Sequence, residues 1–334
     1  MMNTNIKNDV GFLTVGLRLV VGWTYFSAFF RRTILENKLD PEVKGYIGEK
    51  FNHFLPNALG IKPIIQYLVE HPDVLHWNMV AFTIIEGIVG LLLMFGLFTR
   101  TMSIAVFALA MGILLSSGWI GTTCLDEWQI GVLGLASGFL LFLSGSGKYS
   151  LDNYLVKKNY SITKKSWFPW LASGILPIKD QYFSRLVVLG SFFIFGMTLM
   201  TNQVFHGGIW GTLHNKSVKP KLEITNLQIS GGKLSFDVYR TEGVDVYGAW
   251  IISVELKDEQ NKTITQYSQA DLAALKAENV KNYYVAKVKP GKHSLIVPLG
   301  AKARMNFRNP AFENLPVGKY KVIMTDISGA SWEG

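Results

Sequence analysis

The sequence has one cysteine, Cys124. That excludes an intramolecular disulfide and any metal site built from several cysteines. Charge is scarce too: Asp, Glu, Lys and Arg make up 17% of the 334 residues, against about a quarter in an ordinary soluble domain. No glycine-rich dinucleotide fingerprint follows a strand, so no flavin or nicotinamide site is expected. His76, His206 and His214 fall at helix ends or just beyond them, which leaves a membrane haem without paired axial ligands. The spacing of a metal-binding cluster is absent as well. The formal charge is +9, yet no dense Lys/Arg tract interleaved with aromatics appears, so nucleic acid is not an expected partner.

What the chain has is apolar length. Mean hydropathy is +0.22, and the excess lies in runs before residue 205. A hydrocarbon core about 30 Å thick takes roughly 20 apolar residues of helix. Five segments qualify: 10–30, 77–98, 101–120, 127–146 and 183–204. The first has a weakly basic start but no small-residue cleavage site after it, so it reads as a retained helix. Between the first two spans, the pieces 41–56 and 61–71 mix apolar and charged residues at helical spacing and suit short helices at the membrane surface.

Charge sets the expected orientation. The loop 147–182 carries Lys148, Lys157, Lys158, Lys164, Lys165 and Lys179 and is expected in the cytoplasm, whereas 119–127 has no Lys or Arg and faces out. The N-terminus is then cytoplasmic and everything after the fifth span extracytoplasmic, in a bacterial or archaeal cytoplasmic membrane. Arg31 and Arg32 oppose this pattern, because they follow the first span on the outward side. Cations retained against the topology rule point to a use.

After Pro220 the period changes from helix to strand. Alternation over 222–229 and 234–238 brackets Gly231-Gly232, a hairpin signal. Further strands are expected at 249–257, 262–267, 294–299 and 319–326, with a short helix at 268–277. Short strands at this spacing favour an immunoglobulin-like β-sandwich. The expected organisation is a helical membrane domain over 1–160, a cytoplasmic loop, fifth span and linker over 161–217, and an extracytoplasmic all-β domain over 218–334.

Two ionisable residues fall inside spans. Arg18 and Glu86 lie about one helical turn apart in depth when each is counted from the inner ends of its span. An unpaired charge there costs at least about 2.5–3.5 kcal/mol, so the two are expected to pair. Such a pair either locks two helices or faces a proton-linked or quinone site.

Leu17-Arg18-Leu19 with Gly22, then Glu86-Gly87-Ile88-Val89-Gly90 through Gly96-Leu97-Phe98-Thr99-Arg100, then Ser144-Gly145-Ser146-Gly147-Lys148-Tyr149-Ser150-Leu151-Asp152 resemble, in order, the helices of DoxX-type membrane proteins. Gly121-Thr122-Thr123-Cys124-Leu125-Asp126-Glu127-Trp128 resembles DoxD. Gly207-Gly208-Ile209-Trp210-Gly211 with Leu213-His214-Asn215 is similar to DoxA. The chain looks like a fusion of these two small subunits of thiosulfate:quinone oxidoreductase. The resemblance implies a DoxX-like four-helix bundle with one further transmembrane helix. It also implies oxidation of thiosulfate to tetrathionate with a membrane quinone as the electron-accepting co-substrate; no metal, haem or flavin is expected from the residues themselves.

Joining two dianions favours an outward cationic pocket. Arg31 and Arg32 are the expected sulfonate ligands, since a guanidinium fork donates two bonds to an oxyanion; their alternative is lipid-headgroup anchoring. Trp119 and His206 join them as substrate-binding candidates. Cys124 is either a small buried apolar residue or a thiolate activated by nearby cations. Asp126 and Glu127 either relay protons to reduced quinone or favour the helix N-terminus they occupy. Arg18, Trp23, Glu86 and Trp128 are the quinone-facing candidates, the tryptophans having the aromatic belt as their alternative. Two rival readings stay open: a non-catalytic anchored scaffold that binds a partner, and quinone reduction by another small sulfur donor. Homo-oligomerisation is left open.

Overall fold

The computed structural model describes residues 10–121, 126–243, 248–313, 315–316 and 318–334. The chain forms two compact units. One holds the chain up to Tyr46, His76–Gly118 and Asp126–His214; the other holds Ile47–Leu75, the segment from Trp119, and Asn215–Gly334.

The first unit is helical: α1 (Val15–Phe30), α4 (Pro72–Phe95), α5 (Thr99–Ser117), α6 (Asp126–Ser144) and α9 (Asp180–Phe205), with the short α7 (Leu151–Lys157) and α8 (Phe168–Leu171). Among the described residues, four of these helices, α4, α5, α6 and α9, are long and apolar enough to cross a membrane. The first expected span is helical at 10–13, turns at Thr14 and resumes as the 16 residues of α1. A π-helical turn, Arg31–Leu35, ends it, with Glu36 N–H donating to Arg31 O at 3.3 Å.

Small residues set the helix contacts, as they do where lipid supplies no hydrophobic drive between helices. A Cβ on Gly90 would stand 2.5 Å from Gly22 O and 2.4 Å from Phe26 N. Gly131, Gly134 and Gly138 of α6 lie in the same way against Leu114, Ala110 and Ser103 of α5. Helix α9 is peripheral: 6% of its apolar stretch is buried, against 39% for α4 and α5. Its Leu189, Phe192 and Phe193 are exposed.

At one end of this unit a buried polar network ties the helix ends together. Asp152 accepts from Phe98 N (2.8 Å), Thr99 N (3.1 Å), Thr99 Oγ1 (2.9 Å) and Ser173 Oγ (2.7 Å). Arg100 donates to the carbonyls of Phe142, Pro169 and Gly174. Arg18 donates to Ser146 O at 3.1 Å and Tyr149 O at 2.7 Å.

The second unit is a two-sheet sandwich. One sheet has the order β1 (Lys221–Ser230), β2 (Lys233–Glu242), β8 (Lys302–Arg308), β5 (Val280–Asn282). The other runs β10 (Ser331–Glu333), β9 (Lys321–Asp326), β3 (Ala249–Lys257), β7 (Leu295–Val297), β6 (Lys289–Pro290), with β4 (Thr263–Tyr267) also on β3. All pairs are antiparallel. With β4, β6 and β7 set aside, the orders β1-β2-β8-β5 and β10-β9-β3 are those of the A-B-E-D and G-F-C sheets of the immunoglobulin fold. Gly231 (φ 57°) and Gly232 (φ 70°) close the β1–β2 hairpin between Ser230 and Lys233. Both take positive φ, the geometry of a two-residue type I′ turn. Inward residues of both sheets, among them Leu222, Phe236, Ile251, Leu256 and Met324, make one core.

The pieces expected at the membrane surface belong to this unit. Helices α2 (Glu49–Phe54) and α3 (Lys62–Glu70) bury Leu55, Ile65 and Val69 with Tyr284 of the sandwich. Those buried residues pack on protein, while Ile64 and Tyr67 on the other side of α3 stay exposed. Asn52 is fully buried; it donates to Gly300 O (3.3 Å) and accepts from Ala286 N (3.1 Å). Gly300 has φ +72°, and a Cβ there would stand 1.7 Å from Asn52 O. Gly300→Ala is therefore expected to lower the melting of this unit, with backbone strain alone costing about 1–3 kcal/mol before the clash is added. Tryptophan-detected thermal unfolding checks this.

Candidate functional site

Helices α1 and α4 are antiparallel and cross where Gly22 meets Gly90. Arg18 lies four residues to one side of that crossing and Glu86 four residues to the other, roughly 12 Å apart along the axis. The expected Arg18–Glu86 pair therefore does not form. Arg18 sits at the Gly96 end, where a Cβ on Gly96 would stand 2.3 Å from its Nη1. Glu86 is level with Phe29, which packs on Gly87, and with the turn that follows α1.

Glu86 pairs with Arg32 instead. The carboxylate side chain is 5% exposed and the guanidinium 20%. The π-helical turn has a bearing here, since one such turn swings the residues after it off the straight helical path and is a frequent feature of functional sites. Arg31, its neighbour, stays exposed; its Nε donates to Ser27 O at 3.3 Å. Adjacent arginines thus have different situations: one is bound to a buried carboxylate, the other has a guanidinium open to solvent or headgroups.

The ends of α5 and α9 and the start of α6 share the same end of the helical unit as Arg32. Trp128 Nε1–H donates to Thr201 Oγ1 at 3.0 Å, with Thr201 fully buried. His206 is 2% exposed and its Nε2 bonds Gly118 O at 2.9 Å. A carbonyl only accepts, so Nε2 carries the proton. Burial holds this imidazole below its usual range, opposed by the Gly118 bond. Nδ1 is then a buried acceptor without a protein donor among the described residues. Asp126 and Glu127 occupy the first turn of α6, Asp126 exposed and Glu127 half-buried.

The remaining candidates lie elsewhere. Trp23 is 56% exposed on the outside of α1. Trp119 belongs to the sandwich unit, fully buried, its Nε1–H on Phe54 O at 3.2 Å. Cys124 lies outside the described residues. Sequence reasoning missed Asp152, Arg100 and Ser173 as the partners of the Arg18 end. The signal was available in Ser150-Leu151-Asp152, an acidic residue beside the cations of the same loop.

Residues 13–179 match the family described as TQO small subunit DoxD, and residues 205–334 match the one described as TQO small subunit DoxA. The chain belongs to these families, as a tandem DoxD–DoxA fusion. The DoxD part supplies the Arg32–Glu86 pair, the Asp152 network and the whole of 47–75, although that last segment folds with the sandwich. The DoxA part supplies His206 and the sandwich itself. No solved structure matches the chain.

Proposed function

We propose that this DoxD–DoxA protein oxidises thiosulfate at the outward face of a cytoplasmic membrane and passes the electrons to quinone. Two thiosulfate dianions join through their sulfane sulfurs to give tetrathionate and two electrons; the quinone takes those electrons and two protons. The observation that carries the reading is Arg31. Its open guanidinium stands beside the buried Arg32–Glu86 pair, in a chain whose two parts both match TQO small subunits. Arg31 is assigned the sulfonate end of the substrate, and Arg32, neutralised by Glu86, the support of that site. Cys124 is assigned contact with the sulfane sulfur, and Asp126 and Glu127 proton transfer. Trp128 and Trp23 are assigned the quinone side, with His206 as a further proton acceptor through Nδ1. The lysines of 147–182 and the lack of Lys and Arg in 119–127 support an inward N-terminus and an outward sandwich.

The words "small subunit" favour a second reading, in which the chain is the accessory part of a larger enzyme. Purified protein in detergent, mixed with thiosulfate and a short-chain quinone, separates the two by quinone absorbance. Turnover by the chain alone supports the first reading. In that assay Arg31→Ala is expected to raise KM for thiosulfate about tenfold to hundredfold, the scale of a charged hydrogen bond, with melting unchanged because the side chain is exposed. Cys124→Ser is expected to abolish turnover. Full activity in both variants removes the assignment.

A further inference from the structure

Behind the first two turns of α9 the helical unit holds an apolar slot of about 260 Å³. Its wall includes Leu143 of α6, Leu176 and Ile178 of the stretch before α9, and Phe183 and Val187 of α9 itself. Ser144 supplies the one polar side chain of the lining among the described residues. Leu140 and Ile175, which also line it, are 43% and 44% exposed, so the slot opens to the outside of the bundle. One side is held rigidly. Arg100 donates through Nη2 to Gly174 O at 2.6 Å and through its N–H to Ala172 O at 3.1 Å, and Ser173 Oγ donates to Asp152 at 2.7 Å. The other side is the peripheral α9.

The helix ends set the depth of the slot. Helix α6 finishes at Ser144 and α9 starts at Asp180, so the slot lies at the outermost turns of two spans. Exposed Tyr149, Trp167, Trp170 and Tyr182 belong to the same connection and its flanks, and such aromatics mark a bilayer–water boundary. Charge there is one-sided. Against the six lysines of 147–182 stand Asp152 and Asp180, and Asp152 is buried in the network described above. Lys179 is exposed, follows Ile178 of the lining directly and precedes Phe183 by one helical turn. We propose that the slot takes one acyl chain of an anionic phospholipid, whose phosphate is held at the bilayer surface by Lys179. The volume falls below the roughly 300–1,000 Å³ of pockets that enclose a drug-sized ligand and suits a single hydrocarbon chain. Lipid tails are the surrounding solvent at this depth, and a tail gives the apolar wall the dispersion contacts that an empty space forfeits. The sulfur chemistry plays no part in this site.

Native mass spectrometry of the full-length protein in mild detergent, with phosphatidylglycerol and phosphatidylcholine added at equal concentration, reads the site. One tight phosphatidylglycerol adduct is expected, favoured about fivefold over phosphatidylcholine, the scale of one lysine at a bilayer surface. Lys179→Ala is expected to remove that preference and leave phosphatidylcholine binding unchanged. Val187→Trp fills the slot. It should lose the tight adduct with either lipid and raise the melting temperature measured without lipid, as cavity filling does. Leu143→Trp fills the slot from α6 and gives the same result where the α9 change disturbs folding. Val188→Trp, at a 51% exposed position outside the lining, is the control and binds as wild type does. Equal binding of the two lipids by wild type, or a tight adduct retained in both filled variants, overturns the proposal. So does a loss in Val188→Trp equal to that in Val187→Trp. Displacement of phosphatidylglycerol by a neutral isoprenoid quinone assigns the slot to the electron acceptor and overturns the lipid reading as well.

Discussion

Asp152→Ala is expected to destabilise the helical unit by roughly 3–5 kcal/mol, the scale for removing one partner of a buried charge arrangement. The carboxylate is fully buried and accepts four hydrogen bonds, from the start of α5 and from Ser173. It is also the acidic group whose field reaches both buried guanidiniums, Arg18 and Arg100. Taking it away leaves two cations answered only by carbonyl dipoles, and leaves the α5 N-terminal N–H groups unsatisfied. Asp152→Asn separates the two contributions, since the amide keeps one acceptor oxygen and loses the charge. The alanine variant should melt lowest, the asparagine variant between it and wild type. Thermal unfolding of the purified protein in detergent reads this, and an alanine variant that melts with wild type removes the network as the lock of these helix ends.

How much of this was legible in the sequence varies with the kind of interaction. Apolar runs placed the long helices, because the bilayer thickness dictates a length that composition alone reveals. The Gly231-Gly232 hairpin was legible for a local reason, the need for positive φ at two successive positions. Strand β8 was not. Its outward positions are Lys302, Arg304, Asn306 and Arg308, and its inward ones Ala303, Met305 and Phe307. That alternation is clean, but small and charged residues weaken the hydrophobic signal. The packing partner of the segment 47–75 was not legible either. An amphipathic helix shows that one face is covered, not what covers it, and Leu55, Ile65 and Val69 are covered by protein. The Arg18–Glu86 expectation failed because depth was counted from span ends. The register was set elsewhere, by Gly22 against Gly90, and eight residues' worth of helix separates the two charges. Burial of both was legible; the partner of each was not.

Arg32 and Glu86 carry the second large expected effect, and its asymmetry is the informative part. Arg32→Ala strands a carboxylate that is 5% exposed, inside a segment long and apolar enough to span a bilayer. Glu86→Gln strands a guanidinium that is 20% exposed and can reach water or headgroups along its flexible stem. Breaking a buried pair costs about 3–5 kcal/mol when the remaining charge cannot hydrate, and less when it can. Arg32→Ala is therefore the more damaging change, in yield, in melting and in turnover. Glu86→Gln is expected to fold. By freeing a second cation beside Arg31, it should also tighten thiosulfate binding while slowing turnover, because the product is a dianion too and leaves the same pocket. Under uniform strengthening of ground-state and transition-state binding, KM falls without a gain in kcat. The double variant Arg32→Ala/Glu86→Gln should recover much of the stability lost in Arg32→Ala, since no buried charge is left unpaired. Melting temperatures of the three variants, with KM and kcat for thiosulfate, decide it. Equal damage from both single changes, or no recovery in the double variant, removes the pair as the support of the arginine rim.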